Sequence, residues 1–431
     1  MSDRVLDRPA GRVPDRADRV RRLAVTAVFA TLGFSEGTWA ARIPAIKAGL
    51  HLSPGLLGLA LLGPAVGCVL ALPATGAVLA SVAPRRVAQA GLFLVAVLLP
   101  VTTVTSSAGQ LFLVLLGWGV GIAVLDVAMN TEASAVQDHL GRRLMSGFHG
   151  AYSVGGLAGS GLGAITAATG LTARTAFLIA AIPVLVAGVA GTQAFAARPA
   201  HHADAATSGP PGRASRWPQW SWALVALGVI SFASFLGEGA AGNWSAVYLH
   251  SSLGASAGVA ALGYSVFAIT MTAGRLSGDW LTERTGPVRL VRLAGALAAV
   301  GFGAALLIGH VWSGLAGFAL LGAGLAVVVP LAVTAAARLG RPGPSLAITA
   351  SFGYLGALAG PAIIGGLADL TSLPVALGVI VLLSALIVVL AGAVRPRSLT
   401  ADAGARLGEP GPIREECWGD ANRHGCLPRP D

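Results

Sequence analysis

Charge is scarce in this sequence. Only 11% of its 431 residues are Asp, Glu, Lys or Arg, where a soluble domain carries about 25%. So few charges cannot cover a water-facing surface on a chain this long, so most of the surface faces something other than water. Lysine is nearly missing, Lys47 being the single one. The net charge is +10, yet the arginines lie in short breaks between apolar runs and in the tails. No basic helix and no interleaving of aromatic and basic residues occurs, which excludes nucleic acid as a partner. Three cysteines make no disulfide framework. Cys68 lies inside an apolar run and reads as packing. In the tail segment CWGDANRHGC, Cys417 and Cys426 flank His424, short of the four ligands of a structural metal site. Gly-x-Ser-x-Gly, His-Glu-x-x-His and phosphate-loop patterns are all missing. Neither an enzyme nor a metal or other cofactor is expected.

Apolar residues fill the space that charge leaves. They make up 55% of the chain, and the mean hydropathy is +0.74. Glycine, at 59 residues, is scattered through the apolar runs, as in packed membrane helices whose backbones approach closely. A spanning helix needs about 20 apolar residues. Twelve such runs are predicted, at 22–41, 55–79, 87–106, 109–130, 146–168, 173–195, 220–241, 257–277, 289–309, 313–336, 345–366 and 374–394. The first has a basic flank like a cleaved leader, but it is long and eleven more follow, so it is read as a retained span.

The runs fall into an N-terminal six-helix bundle at 22–195 and a C-terminal one at 220–394. A tail at 1–21, a Pro-, Gly-, Ser- and His-rich linker at 196–219 and a tail at 395–431 complete the chain. Arginines sets the orientation. With the N-terminus inside, every inner loop is basic, through Arg85 and Arg86, Arg142 and Arg143, the linker, Arg284 and Arg289, Arg338 and Arg341, and the C-terminal tail. The outer loops hold only Arg42, Lys47 and Arg174. Both termini are therefore expected in the cytoplasm, with the protein in the plasma membrane and the lipid bilayer as its surroundings.

The two halves repeat one another. LLGWGVGIAVL from Leu115 matches LLGAGLAVVVP from Leu320, VGGLAGSGLG from Val154 matches LGALAGPAIIG from Leu355, and Glu36-Gly37 matches Glu238-Gly239. The offsets are 205, 201 and 202 residues. Three matches in register at equivalent helices point to a duplicated six-helix unit, a transporter architecture. Over residues 20–395 the chain resembles the major facilitator superfamily. The segment GRLSGDWLTERTGPVRLVR, read as the loop after the eighth helix, is similar to that superfamily's cytoplasmic motif at Arg275, Asp279, Glu283, Arg284, Gly286 and Arg289. The resemblance implies a cytoplasmic charge cluster, with Asp279 beside Arg275, Arg284 or Arg289, that forms and parts as the bundles rock. The equivalent first-half loop keeps Gly76, Arg85 and Arg86 but has no acidic residue. The stretch DVAMNTEASAVQDHLGRRLMSGFHGAYSVGG, from Asp126, resembles the fucose-permease-like branch. The fold class these matches imply is all-α and integral to the membrane, with twelve spanning helices in two pseudo-symmetric bundles.

Carboxylates inside the apolar runs are the candidate functional residues. A charge at the centre of a bilayer costs about 2.5–3.5 kcal/mol even on the insertion scale, so Glu36, Glu238 and Asp126 should face a cavity or a partner. Glu36 is either a proton-carrying cavity residue or one that pairs with Arg42 or with the interface, and Glu238 stands likewise between a transport role and a structural one. Asp126 either titrates or pairs with Arg142 or Arg143. His149 is either a relay or a hydrogen-bonded helix-start residue. Asn130, Tyr152, Tyr264 and Asn243 are further pathway candidates, and Trp244 is read as an interfacial belt residue. The function expected is secondary active transport of a small solute, coupled to protons, by a monomer. Symport of a sugar-like or other polar molecule is favoured over antiport efflux of drugs or metabolites.

Overall fold

Among the residues described in this computed structural model (15–140, 144–195, 221–339 and 342–395), every regular element is a helix. Helix ends follow local chemistry. Asp15 caps the first helix through a reciprocal bond with Asp18, and Ser53, Thr172, Ser221 and Ser256 cap later ones through their hydroxyls, satisfying donors that the first turn leaves free. Twelve long helices result. The first six are α1 (Arg16–Gly49), α2 (Pro54–Leu79, broken at Leu61), α3 (Pro84–Val101), α4 (Ala108–Leu140), α5 (Met145–Ala168) and α6 (Ala173–Thr192). The second six are α7 (Trp222–Val247), α8 (Ala257–Thr285), α9 (Pro287–Ile308), α10 (Val311–Ala336), α11 (Pro342–Leu370) and α12 (Leu373–Leu390). Ten of the twelve are long and apolar enough to cross a membrane. The other two, α1 and α5, carry the Glu36 and Arg42 charges and the glycine-rich run 155–163.

The helix bounds correct the sequence reading in three places. The α1 helix runs through Pro44 to Gly49, so Arg42 and Lys47 belong to the helix and not to an outer loop. The α4 helix continues to Leu140. Most consequential is α8, which continues through Arg275, Asp279, Glu283 and Arg284. Nothing between Gly274 and Thr285 breaks a helix except the lone Gly278. The stop comes at Gly286, whose φ of 76° suits glycine, and Pro287 starts α9 at once. The supposed loop is a single residue. The linker, Arg142, Arg143, Cys417, His424 and Cys426 lie outside the described residues.

Glycines set the closest packing. A Cβ on Gly37 would meet the carbonyl oxygen of Gly156, and one on Gly155 would meet that of Ala30, so α1 and α5 touch backbone to backbone. The same geometry recurs in α7 and α11. Gly155 on Ala30 and Gly159 on Phe34 are answered by Gly356 on Phe232 and Gly360 on Leu236. These contacts fix the repeat at 202 residues for α1 and α7 and at 201 for α5 and α11. In both halves the first helix packs on the fifth, the second on the fourth, and the third on the fourth and sixth. The halves meet through α5 against α8 and α2 against α11. These two contacts are also copies of one another, because Gly258 packs on Ala168 where Gly55 packs on Asp369. That pairing gives α2 and α8 an offset of 203 residues.

Candidate functional site

The α1–α5 approach places Glu36. Gly33, one turn before it, packs against the Tyr152 carbonyl oxygen, and this brings the Tyr152 side chain across to α1. There its hydroxyl donates a hydrogen bond to Glu36 Oε2. The alternative in which Glu36 pairs with Arg42 is corrected. Arg42 is buried, and its Nη2 donates to the carbonyl oxygen of Leu171 at 2.7 Å, tying α1 to the α5–α6 turn. The two residues are six apart, so on a helix they do not share a face.

Glu238, the counterpart of Glu36, is held differently. Tyr152 answers to Gly353 in the second half, so α11 offers no hydroxyl at the equivalent position. Glu238 Oε2 instead accepts from Arg275 Nη2 of α8 at 3.1 Å. Arg275 thus leaves the cytoplasmic cluster assigned to it. Asp279, Glu283, Arg284 and Arg289 are exposed, and among the described residues no ion pair joins any of them. The guanidinium of Arg284 lies 4.2 Å from the centre of the Trp280 ring, a cation–π contact. With the helix running straight through the segment, Arg275 sits one turn deeper than Asp279 and faces α7.

Between the halves lies a cavity of about 160 Å³ whose polar wall is Tyr152, Ser153, Glu238, Tyr264, Thr272 and Arg275. Tyr264 lies within electrostatic range of both Glu36 and Glu238. Asp126 of α4 lies within range of Glu36 on one side and of His149 on the other. Its side chain and its carbonyl each accept from Asn130 Nδ2 at 2.9 Å. His149 is not a helix-start residue. The α5 helix begins at Met145, and the imidazole packs edge-on against Phe29 with ring centres 5.2 Å apart. Asn243 is half-buried on α7, outside the cavity lining. Trp244 is fully buried and so is no interfacial belt residue. The π turn at Tyr248–Ser252 prolongs α7 beyond it.

An ion pair and a hydrogen bond escaped the sequence reading. Arg21 Nε meets Glu132 Oε1 at 2.5 Å, and Asp18 Oδ1 meets His139 Nε2 at 3.1 Å. Both join the start of α1 to the end of α4. A signal was present: 18 and 21 are one helical turn apart and 132 and 139 two, with complementary polar groups on antiparallel neighbours. A second, larger cavity of about 450 Å³ between α2, α3 and α4 is lined almost wholly by apolar side chains and offers a polar solute few partners.

Cross-half contacts gather at one end. Ser160 and Ser265 hydroxyls lie 2.6 Å apart, Ser53 Oγ donates to Asp369 Oδ2 at 2.8 Å, and Gly58 and Gly365 pack backbone to backbone. All of these lie toward the end where α1 finishes and α2 begins, beyond the cavity. One end of the passage between the halves is thus closed.

The family profile of the Major Facilitator Superfamily matches residues 23–343 and 227–425. An uncharacterised MFS-type transporter of Yersinia pestis is 33% identical over 365 residues, covering 84% of this chain and 93% of that one. An uncharacterised transporter of Sinorhizobium fredii, y4wD, is 33% identical over 375 residues, covering 85% and 96%. The solved structure of the nucleoside transporter NupG superposes with a TM-score of 0.65 at 15% identity, covering 87% of this chain and 98% of that one, a likeness of fold alone. With the duplicated halves, the charges between them and these relatives, the chain belongs to the Major Facilitator Superfamily and is a multi-pass membrane transporter.

Proposed function

We propose that this transporter couples movement of a small polar solute to protons, and that Glu36 carries the proton. The observation that supports this reading is the bond between Glu36 and Tyr152, a residue on the wall of the cavity between the halves. A tyrosine hydroxyl can donate to a carboxylate and accept from a carboxylic acid. The pair therefore keeps a hydrogen bond in both protonation states. Arginine only donates, so the Glu238–Arg275 contact has no such symmetry. The titratable groups facing Glu36 are Tyr152 from α5, Asp126 from α4, Tyr264 from α8 and Cys68 from α2. Asp126 and His149 offer a continuation toward the end that carries the N-terminus. Rocking of the halves about the cavity gives alternating access, and the arginine-rich loops support placing the termini inside. The closed end is then the outer one, and the cavity opens inward.

The test is flux in proteoliposomes against sugars, sugar acids, nucleosides and short organic acids, with a pH-sensitive dye inside. A solute that moves should move protons with it, and an imposed pH gradient should drive its accumulation. Accumulation driven by a sodium gradient alone, with no proton movement, would overturn the coupling.

A further inference from the structure

Arg275 has a use that the transport reading leaves open. We propose that Arg275 is the anchor for the transported solute, and that this solute is a small organic monoanion whose carboxylate competes with Glu238 for the guanidinium. The proposal rests on the transport reading above and names the substrate class of that site.

Geometry carries it first. Arg275 lines the cavity, its side chain is 48% exposed, and Glu238 at 22% is mostly covered. Its contact with Glu238 uses one of its terminal nitrogens, at 3.1 Å. A guanidinium carries five N–H donors in a planar fork, so most of the fork remains for a ligand. A carboxylate fits that fork with two parallel bonds.

The repeat carries it second. Arg275 answers to Leu72 under the α2-to-α8 offset, and the equivalent carboxylate, Glu36, packs in the first half with no arginine at all. The fold therefore does not need a guanidinium to accommodate a carboxylate at this position. An ionisable side chain within a membrane span is costly and marks a solute or ion pathway.

The lining limits the ligand. Arg275 is the one basic residue on the described wall. Glu238 on the same wall and Glu36 bonded to Tyr152 would repel a second negative charge, so a monoanion fits where a phosphate ester does not. Hydroxyls of Tyr152, Ser153, Tyr264 and Thr272 meet a polar body, and Phe267 and Met271 supply an apolar side.

The experiment is ligand binding by thermal shift on the purified full chain in nanodiscs, with matched pairs: glucuronate and glucose, lactate and lactamide, benzoate and benzamide. At least one carboxylate should raise Tm in a saturable way while its neutral mate does not. Arg275→Gln should weaken that binding at least tenfold and Arg275→Lys less. Glu238→Gln removes the competing carboxylate but keeps the arginine, so it should bind the same anion more tightly. The Glu238→Gln arm reads the proposal even if Arg275→Gln fails to fold. Binding is read with no proton gradient present, so a failure of proton coupling would leave this result readable. Neutral mates that bind as well as the acids, no shift with any carboxylate, or weaker binding in Glu238→Gln would each overturn the assignment.

Discussion

Glu36 and Glu238 occupy equivalent positions 202 residues apart, yet one is bonded to the Tyr152 hydroxyl and the other to the Arg275 guanidinium. Duplication supplied the same carboxylate twice, and its neighbours diverged. Tyr152→Phe removes the hydroxyl and keeps the ring. Interhelical hydrogen bonds in membranes average about 0.6 kcal/mol, so folded yield should barely change. The ratio of proton to solute flux should drop sharply, and parallel dye and radiolabel measurements check it. An unchanged ratio would leave Tyr152 a packing residue.

The α1–α5 contact predicts a graded packing series. Gly37→Ala places a Cβ on the Gly156 carbonyl, and overpacking of this kind costs about 1–3 kcal/mol. Gly161→Ala on α5 meets nothing within 4 Å. Thermal unfolding in detergent should show a lower Tm for Gly37→Ala and a parent-like value for Gly161→Ala. Equal values would mean that the two backbones are not in contact.

Closure at one end can be trapped. In a background without the native cysteines, Ser160→Cys with Ser265→Cys replaces two hydroxyls 2.6 Å apart. Oxidation should cross-link α5 to α8 and stop flux, and a reducing agent should restore it. Full flux in the cross-linked protein would show that this contact need not open during transport.

Much of the fold is legible in the sequence, because a bilayer demands long apolar runs and a duplication leaves fixed offsets. Twelve runs became twelve helices, and the Glu36–Glu238 match holds in the packing of Ala30 and Phe232. Helix ends were harder to read. Polar residues can continue a helix past the apolar run, so Arg275 reads as a loop residue although α8 carries it up against α7. The site itself was half legible. A carboxylate in an apolar run announces a partner but does not name it. Tyr152 lies 116 residues from Glu36, and only the glycine packing of α1 on α5 brings it there. Trp244 looks like a belt residue because Trp is common at helix ends, yet tertiary packing buries it completely.

Orientation gives a labelling prediction. Ser252 is exposed beside the closed end, and Asp279 is exposed toward the other. With single cysteines in a cysteine-free background, Ser252→Cys should react with an impermeant maleimide in intact cells. Asp279→Cys should react only after permeabilisation. The reverse pattern would invert the topology and place the closed end inside.

The most direct measurement concerns Glu36. Glu36→Gln imitates the protonated side chain and keeps a partner for the Tyr152 hydroxyl. In proteoliposomes, with rates normalised to folded protein, it should lose accumulation driven by a pH gradient and keep solute-for-solute counterflow, because the halves can still rock. Glu238→Gln and Asp126→Asn run beside it show whether the loss belongs to Glu36. Intact uphill accumulation in Glu36→Gln would contradict the account and move the proton to Asp126.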